Sequence, residues 1–174
     1  MARLFDKDSL CSMDGQVVRQ RESLPSHIMN QDEIFKYIPH RPPFLFVDEC
    51  TEVTPDRIVT THRADPRAHY FQGHFPRQPI MPGVLICESC FQAGALLVAK
   101  RLGNTASDAG SPVVTRISEA KFKRIVRPGD LLRINVALDE EFGGAFFLNG
   151  KVTVGGATAL RMKFAVTMTG IERE

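Results

Sequence analysis

The spacing of apolar residues changes once along the chain, from a nearly continuous run to strict alternation. From Gly83 to Leu102 the run reads GVLICESCFQAGALLVAKRL, introduced by Pro82 and followed by Gly103. That length and those flanks predict a buried helix that begins near a proline and stops at a glycine. Further on, Leu132, Ile134, Val136 and Leu138 take every second position, as do Leu160, Met162, Phe164, Val166 and Met168, and Gly143-Gly144 and Gly155-Gly156 punctuate them. A period of two with paired glycines predicts a meander of antiparallel strands. Upstream, Phe44 to Val53 and Arg57 to Arg63 flank Thr54-Pro55-Asp56, which predicts two strands around a turn. Asn30 with Glu33 three residues on, then Ile34, Phe35, Ile38 and a stop at Pro39, predicts a capped helix of two turns at most. Asn104 to Pro112 reads as a polar loop. One long helix beside an antiparallel sheet is an α+β pattern. Residues 1–30 lack sustained periodicity and read as a loosely ordered N-terminal extension, leaving 31–174 as a single domain.

The chain's 174 residues fit one domain of about 150 residues with some surplus. A hydrophobic share of 43% excludes a disordered chain, and a net charge of +2 argues against a dedicated nucleic-acid binder. That charge is uneven, however. Within residues 111–135, Arg116, Lys121, Lys123, Arg124, Arg127 and Arg133 face only Glu119 and Asp130, a local excess of +4 over an otherwise balanced chain. A solvated strand edge accounts for such a patch, and so does an acidic partner. Charges at Arg3, Asp6, Lys7 and Asp8 interrupt any signal-peptide core, and Glu88 and Gln92 interrupt the long apolar run. A buried helix fits that run better than a membrane span. Cys11, Cys50, Cys87 and Cys90 are then expected to be reduced in a cytoplasmic protein.

Candidate chemistry concentrates in residues 73–92, GHFPRQPIMPGVLICESCFQ. Pro76, Pro79 and Pro82 recur every third residue, which predicts a stiff polyproline II path with Phe75, Gln78 and Met81 extended. The path leads into a helix whose first amides are unpaired at the positive end of the dipole, suited to a polarised carbonyl. Glu88 lies on one helical stripe with Val84 and Gln92 among apolar neighbours, so burial is expected to raise its pKa into the range of a general acid. A solvent-facing or ion-paired glutamate is the plainer alternative. His74 is a candidate general base, though a lone histidine in a turn is as often structural. His62, His69 and His74 lack the spacing of a metal site, and Cys87 and Cys90 inside an apolar helix read as buried thiols rather than a redox pair. Eight residues separate His74 from Pro82, about 25 Å if extended at ~3.1 Å each. An extended segment would keep His74 from Glu88 within one chain and call for a second subunit, whereas a fold-back at Gln78 would cancel that inference.

Three segments, HRPPFLFVD (His40 to Asp48), GHFPRQPIMPGVLICE (Gly73 to Glu88) and KFKRIVRPGD (Lys121 to Asp130), resemble the FabZ-type 3-hydroxyacyl-acyl carrier protein dehydratases of fatty-acid synthesis. The resemblance spans about residues 31–170 in the expected order. It implies a hotdog fold, one long central helix wrapped by an antiparallel β-sheet, paired into homodimers and often into hexamers of three dimers. It also implies His74 and Glu88 as the catalytic pair, contributed by opposite subunits, and the Gly83 amide as donor to the thioester carbonyl. Phe75, Pro82, Val84 and Gln92 would line the substrate pocket. Arg116, Lys121, Lys123, Arg124 and Arg127 would dock an acyl carrier protein bearing a phosphopantetheine-linked 3-hydroxyacyl chain. No metal or redox cofactor is implied.

Arg77-Gln78 stands where the family commonly has glycine, Ser89-Cys90-Phe91 replaces small apolar residues, and Pro112-Val113-Val114 replaces an aromatic stretch that often includes a gating tyrosine. These departures surround the pocket rather than the catalytic pair. Two alternatives remain open: a hotdog acyl thioesterase, and a non-catalytic subunit that binds acyl carrier protein.

Overall fold

The computed structural model of the protein describes residues 28–106 and 110–169. The element order is α1 (Gln31–Ile34), β1 (Glu49–Thr54), β2 (Arg57–Arg63), α2 (Tyr70–Gly73), α3 (Gly83–Leu102), β3 (Ser111–Phe122), β4 (Leu131–Phe142), β5 (Ala145–Val154) and β6 (Ala157–Thr169). All six strands form one antiparallel sheet in the order β1-β2-β4-β5-β6-β3. Strand β3 precedes β4 in sequence but lies beyond β6, so α3 carries the chain across the sheet's full width.

This path explains why α3 is apolar almost all round. The sheet curls about it, and from Gln92 to Ala99 every residue is buried. Contact is close enough to require small residues. A Cβ at Gly94 would fall 2.8 Å from Cζ of Phe164, and one at Gly150 would fall 3.1 Å from Sγ of Cys90. Gly103 ends the helix at φ 69, the left-handed conformation the sequence pattern requires of it. Among the described residues α3 alone is long and apolar enough to cross a membrane, and its burial identifies it as the core helix.

Period-two positions sort as expected. Leu132, Ile134, Val136, Leu160, Met162, Phe164 and Val166 are buried, and the glycine pairs make the β4–β5 and β5–β6 turns. Asn30 caps α1 reciprocally with Glu33.

Four expectations need correction. Phe44 to Asp48 is not strand, because the Phe46 amide is bonded to the Gln92 side chain instead of a neighbouring strand. Strand β3 begins at Ser111, inside the expected polar loop. Met29 exchanges both backbone hydrogen bonds with Cys50 at 2.9 Å and is fully buried, so core packing starts inside the presumed extension. The rest of that extension, residues 1–27 with Cys11, lies outside the described residues. Finally, the proline-spaced segment folds back. The Gln78 amide donates to the Phe75 carbonyl at 2.8 Å, and Phe75 adopts φ 57 although it precedes a proline. Tertiary anchors override local preference here: buried Met81 donates its amide to the Val126 carbonyl at 2.8 Å, and His74 bonds across the turn to Ile80. The extended spacing that called for a second subunit therefore does not hold.

Candidate active site

Glu88 sits on the second turn of α3 with its side chain only 19% exposed. Burial raises its pKa above the ordinary value of 4.5, against the opposing effect of a hydrogen bond from Gln92. The expected shift of this carboxyl toward its acid form thus has its cause in the packing around α3.

Gln92 holds that carboxyl in place. Its Nε2 donates to Glu88 Oε1 at 2.9 Å and to the Phe44 carbonyl at 3.1 Å, while its Oε1 accepts the Phe46 amide at 2.8 Å. Gln92 is fully buried in this structure. It is a bracket between the helix and the irregular segment 44–48, and it explains why that segment leaves the sheet. Gln92→Leu should strip the Phe46 amide and the Phe44 carbonyl of partners and destabilise the fold by about 2–3 kcal/mol, read from urea denaturation midpoints. An unchanged midpoint would show that the bracket is not structural.

The bracket also reveals a residue for which sequence reasoning had no role. His40 Nε2 lies 3.8 Å from Glu88 Oε1. Burial, and then the Arg41 guanidinium, lower the His40 pKa. Burial acts on both partners of this contact in the direction that disfavours charge, raising the Glu88 pKa and lowering that of His40. Arg41 anchors the loop that carries His40, donating from Nη1 to the carbonyls of Ile38 and His40 at 2.8 Å and lying 4.3 Å from the Phe35 ring centroid. A gap of 48 residues separates His40 from Glu88, so no local spacing could pair them.

His74 terminates the single turn of α2, its amide donating to the Tyr70 carbonyl at 3.0 Å. Its Nδ1 lies 2.9 Å from the Ile80 carbonyl. A carbonyl only accepts, so Nδ1 carries a proton and Nε2 is the ring nitrogen left for a substrate. Exposed Phe75 packs edge-on against the imidazole at 4.6 Å. Within one protomer no hydrogen bond or ion pair among the described residues joins His74 to Glu88.

Gly83 opens α3 behind Pro82, its N-cap, with its amide lacking a partner in the helix. A Cβ here would fall 2.9 Å from Cε1 of Phe122, which accounts for glycine at this position. Beside it a recess of about 320 Å³ is lined by Ile80, Gly83, Ile86, Phe122 and Ile125 among others. Val84, one residue on, is 73% exposed.

The remaining candidates separate. His62 bonds Asp48 through Nδ1 at 2.9 Å, far in role from His74, and Cys50, Cys87 and Cys90 are buried free thiols. Burial raises the pKa of Cys50 to about 11, which leaves no reactive thiolate. Of the docking candidates, Arg116, Lys121, Lys123, Arg124 and Arg127 are all exposed.

A long helix wrapped by a six-stranded antiparallel sheet defines a hotdog-fold protein. Among solved structures the chain is similar to the dehydratase heterocomplex ApeI:P from Xenorhabdus doucetiae (TM-score 0.67, 12% identity, 79% of this chain and 91% of that one). It is also similar to a hypothetical thioesterase with coenzyme A from Streptococcus pneumoniae TIGR4 (TM-score 0.55, 14% identity, 71% and 87%). At those identities the likeness establishes the fold. Sequence comparison is more specific. The FabA-like domain matches residues 38–163. The 3-hydroxyacyl-[acyl-carrier-protein] dehydratase FabZ of Rickettsia massiliae (strain Mtu5) is 40% identical over 138 residues, 79% of this chain and 94% of the relative. Its counterpart in Rickettsia bellii (strain OSU 85-389) is 38% identical over 133 residues, 76% and 90%. The chain belongs to the FabZ family of 3-hydroxyacyl-[acyl-carrier-protein] dehydratases.

Proposed function

We propose that this protein removes water from 3-hydroxyacyl-acyl carrier protein, giving the trans-2-enoyl thioester, in fatty-acid or related lipid biosynthesis. Family membership supplies the reaction, and the observation that carries it to these residues is the buried, bracketed carboxyl of Glu88 with its raised pKa.

The Gly83 amide, at the positive end of α3, donates to the thioester carbonyl and acidifies the α-carbon. His74 Nε2 takes the α-proton, the electron pair becomes the new carbon–carbon double bond, and the β carbon–oxygen bond breaks. Protonated Glu88 delivers its proton to the departing hydroxyl, which leaves as water. His74 is then protonated and Glu88 ionised, and transfer of one proton back resets the site. Phe75, Pro82 and Val84 remain pocket candidates, since all three border the helix start or the base. Basic residues at positions 116, 121, 123, 124 and 127 are read as attracting the acidic carrier.

Pairing of His74 with Glu88 of a second subunit is supported by the free edge of the sheet. Strand β3 runs for 12 residues with no neighbour beyond it among the described residues. Val113, Val114, Ile117 and Phe122 on it are exposed, as are Phe75 and Val84. A long apolar edge of this kind is a template for strand pairing, which a homodimer would satisfy. Three such dimers would make the family's hexamer. Free buried thiols suit a reducing, cytoplasmic setting.

The test is incubation with 3-hydroxyacyl carrier protein of several chain lengths, followed by mass spectrometry. Loss of water is expected. Free acid would show a thioesterase, and bound but unaltered substrate a scaffold subunit, either of which would overturn the reading.

A further inference from the structure

The local excess of charge in residues 111–135 is only part of a larger surface. On the outer face of the sheet a groove of about 610 Å³ is lined by Lys121 and Lys123 together with Lys151, Arg161 and Lys163 from β5 and β6, against one acid, Glu119. Strand register explains the grouping. Lys151 lies directly opposite Arg161, and Arg161 directly opposite Lys121, so three cations form one row across three adjacent strands about 4.8 Å apart. Lys151 and Arg161 are exposed between buried neighbours, which fixes their direction outward. Glu119 bonds Lys163 at 2.9 Å and also interacts with Lys121 through its charge, while among the described residues no acid forms an ion pair with Lys151 or Arg161. Like charges facing each other across strands destabilise a sheet. A cationic row offset only at its Lys121 end, by Glu119, is a surface that a negative partner would neutralise.

We infer that this outer groove, centred on Lys151 and Arg161, is the docking face for the acidic carrier protein, and that the edge residues Arg116 and Arg127 are peripheral to it. The inference rests on the dehydratase reading above. Position favours the carrier over a polymer or lipid surface. Lys123 borders both the groove and the recess at Gly83, and Phe122, the residue between Lys121 and Lys123, is the one whose ring covers Gly83. A protein seated on the groove therefore stands where a tethered acyl arm can turn round the end of β3 toward the helix N-terminus.

The test compares one acyl chain presented in two ways, on carrier protein and as its N-acetylcysteamine thioester, with Lys151→Glu/Arg161→Glu. The KM for the carrier substrate should rise by about tenfold or more and lose most of its salt dependence, with kcat on the small thioester unchanged. Lys151→Gln/Arg161→Gln, which relieves the repulsion and so folds at least as well as the parent, should move KM the same way by less. Unchanged KM and salt dependence, or equal losses on both substrates in the neutral variant, would overturn the inference. Failure of the wild type to dehydrate either substrate would instead reject the dehydratase reading beneath it.

Discussion

Glu88→Gln should lower the dehydration kcat by about 10²–10⁴-fold, the usual worth of a positioned general acid, while leaving the fold intact. Glutamine keeps the volume of the side chain and an acceptor for Gln92 Nε2, which now stands 2.9 Å from Glu88 Oε1. The substitution removes a dissociable proton and little else. The wild-type pH profile gives an independent check. Burial holds the Glu88 pKa above 4.5, so the acid form persists beyond the ordinary carboxylate range and declines as pH rises through the raised value. Activity should therefore fall on the alkaline side as Glu88 ionises, and that limb should be missing from the residual activity of the glutamine variant. A glutamine variant with the wild-type rate and the wild-type alkaline limb would remove Glu88 from the mechanism.

The carboxyl's surroundings divide into parts the sequence discloses and parts it cannot. Glu88 stands out because it interrupts an apolar helix, and α3 itself is legible from Pro82 to Gly103 because its length, start and stop signals agree. The alternating strands are legible for the same reason: each buries one face, and period and burial coincide. Gln92 is legible only as a polar residue on the Glu88 stripe. Its function as a bracket depends on the Phe44 carbonyl and Phe46 amide, contributed by a segment 46 to 48 residues away. His40 reaches Glu88 by the same long-range route. The proline segment misleads for a physical reason, since local restriction of backbone angles is worth less than the His74–Ile80 and Met81–Val126 bonds formed by bending. Charge counting along the chain fails differently. It assigns residues 136–174 a small negative balance, yet the sheet register stacks Lys151 and Arg161 of that segment beside Lys121. Cross-strand neighbours are set by topology, and composition by segment cannot show them.

Mixing two impaired variants should restore activity. His74→Asn and Glu88→Gln are each expected to keep only a small residual rate, because one lacks the base and the other the acid. If the pair is assembled across a dimer, a mixed dimer contains one site with both substitutions and one site with neither. Random reassociation of equal amounts makes half the dimers mixed, each with one of two sites intact, so about a quarter of the wild-type activity should return. Sites formed within one chain would regain nothing, since every chain would still carry a defect. The measurement is the dehydration rate after the variants are unfolded together and refolded, against each refolded alone. Its outcome bears on the structure in a specific way. Inside one protomer the turn at Phe75–Gln78 ties His74 to Ile80, while Glu88 is tied to Gln92 one turn further along α3. With the two side chains held by separate networks, recovery of activity in the mixture would support a second copy, brought in along the exposed β3 edge, as the way base and acid meet over one substrate.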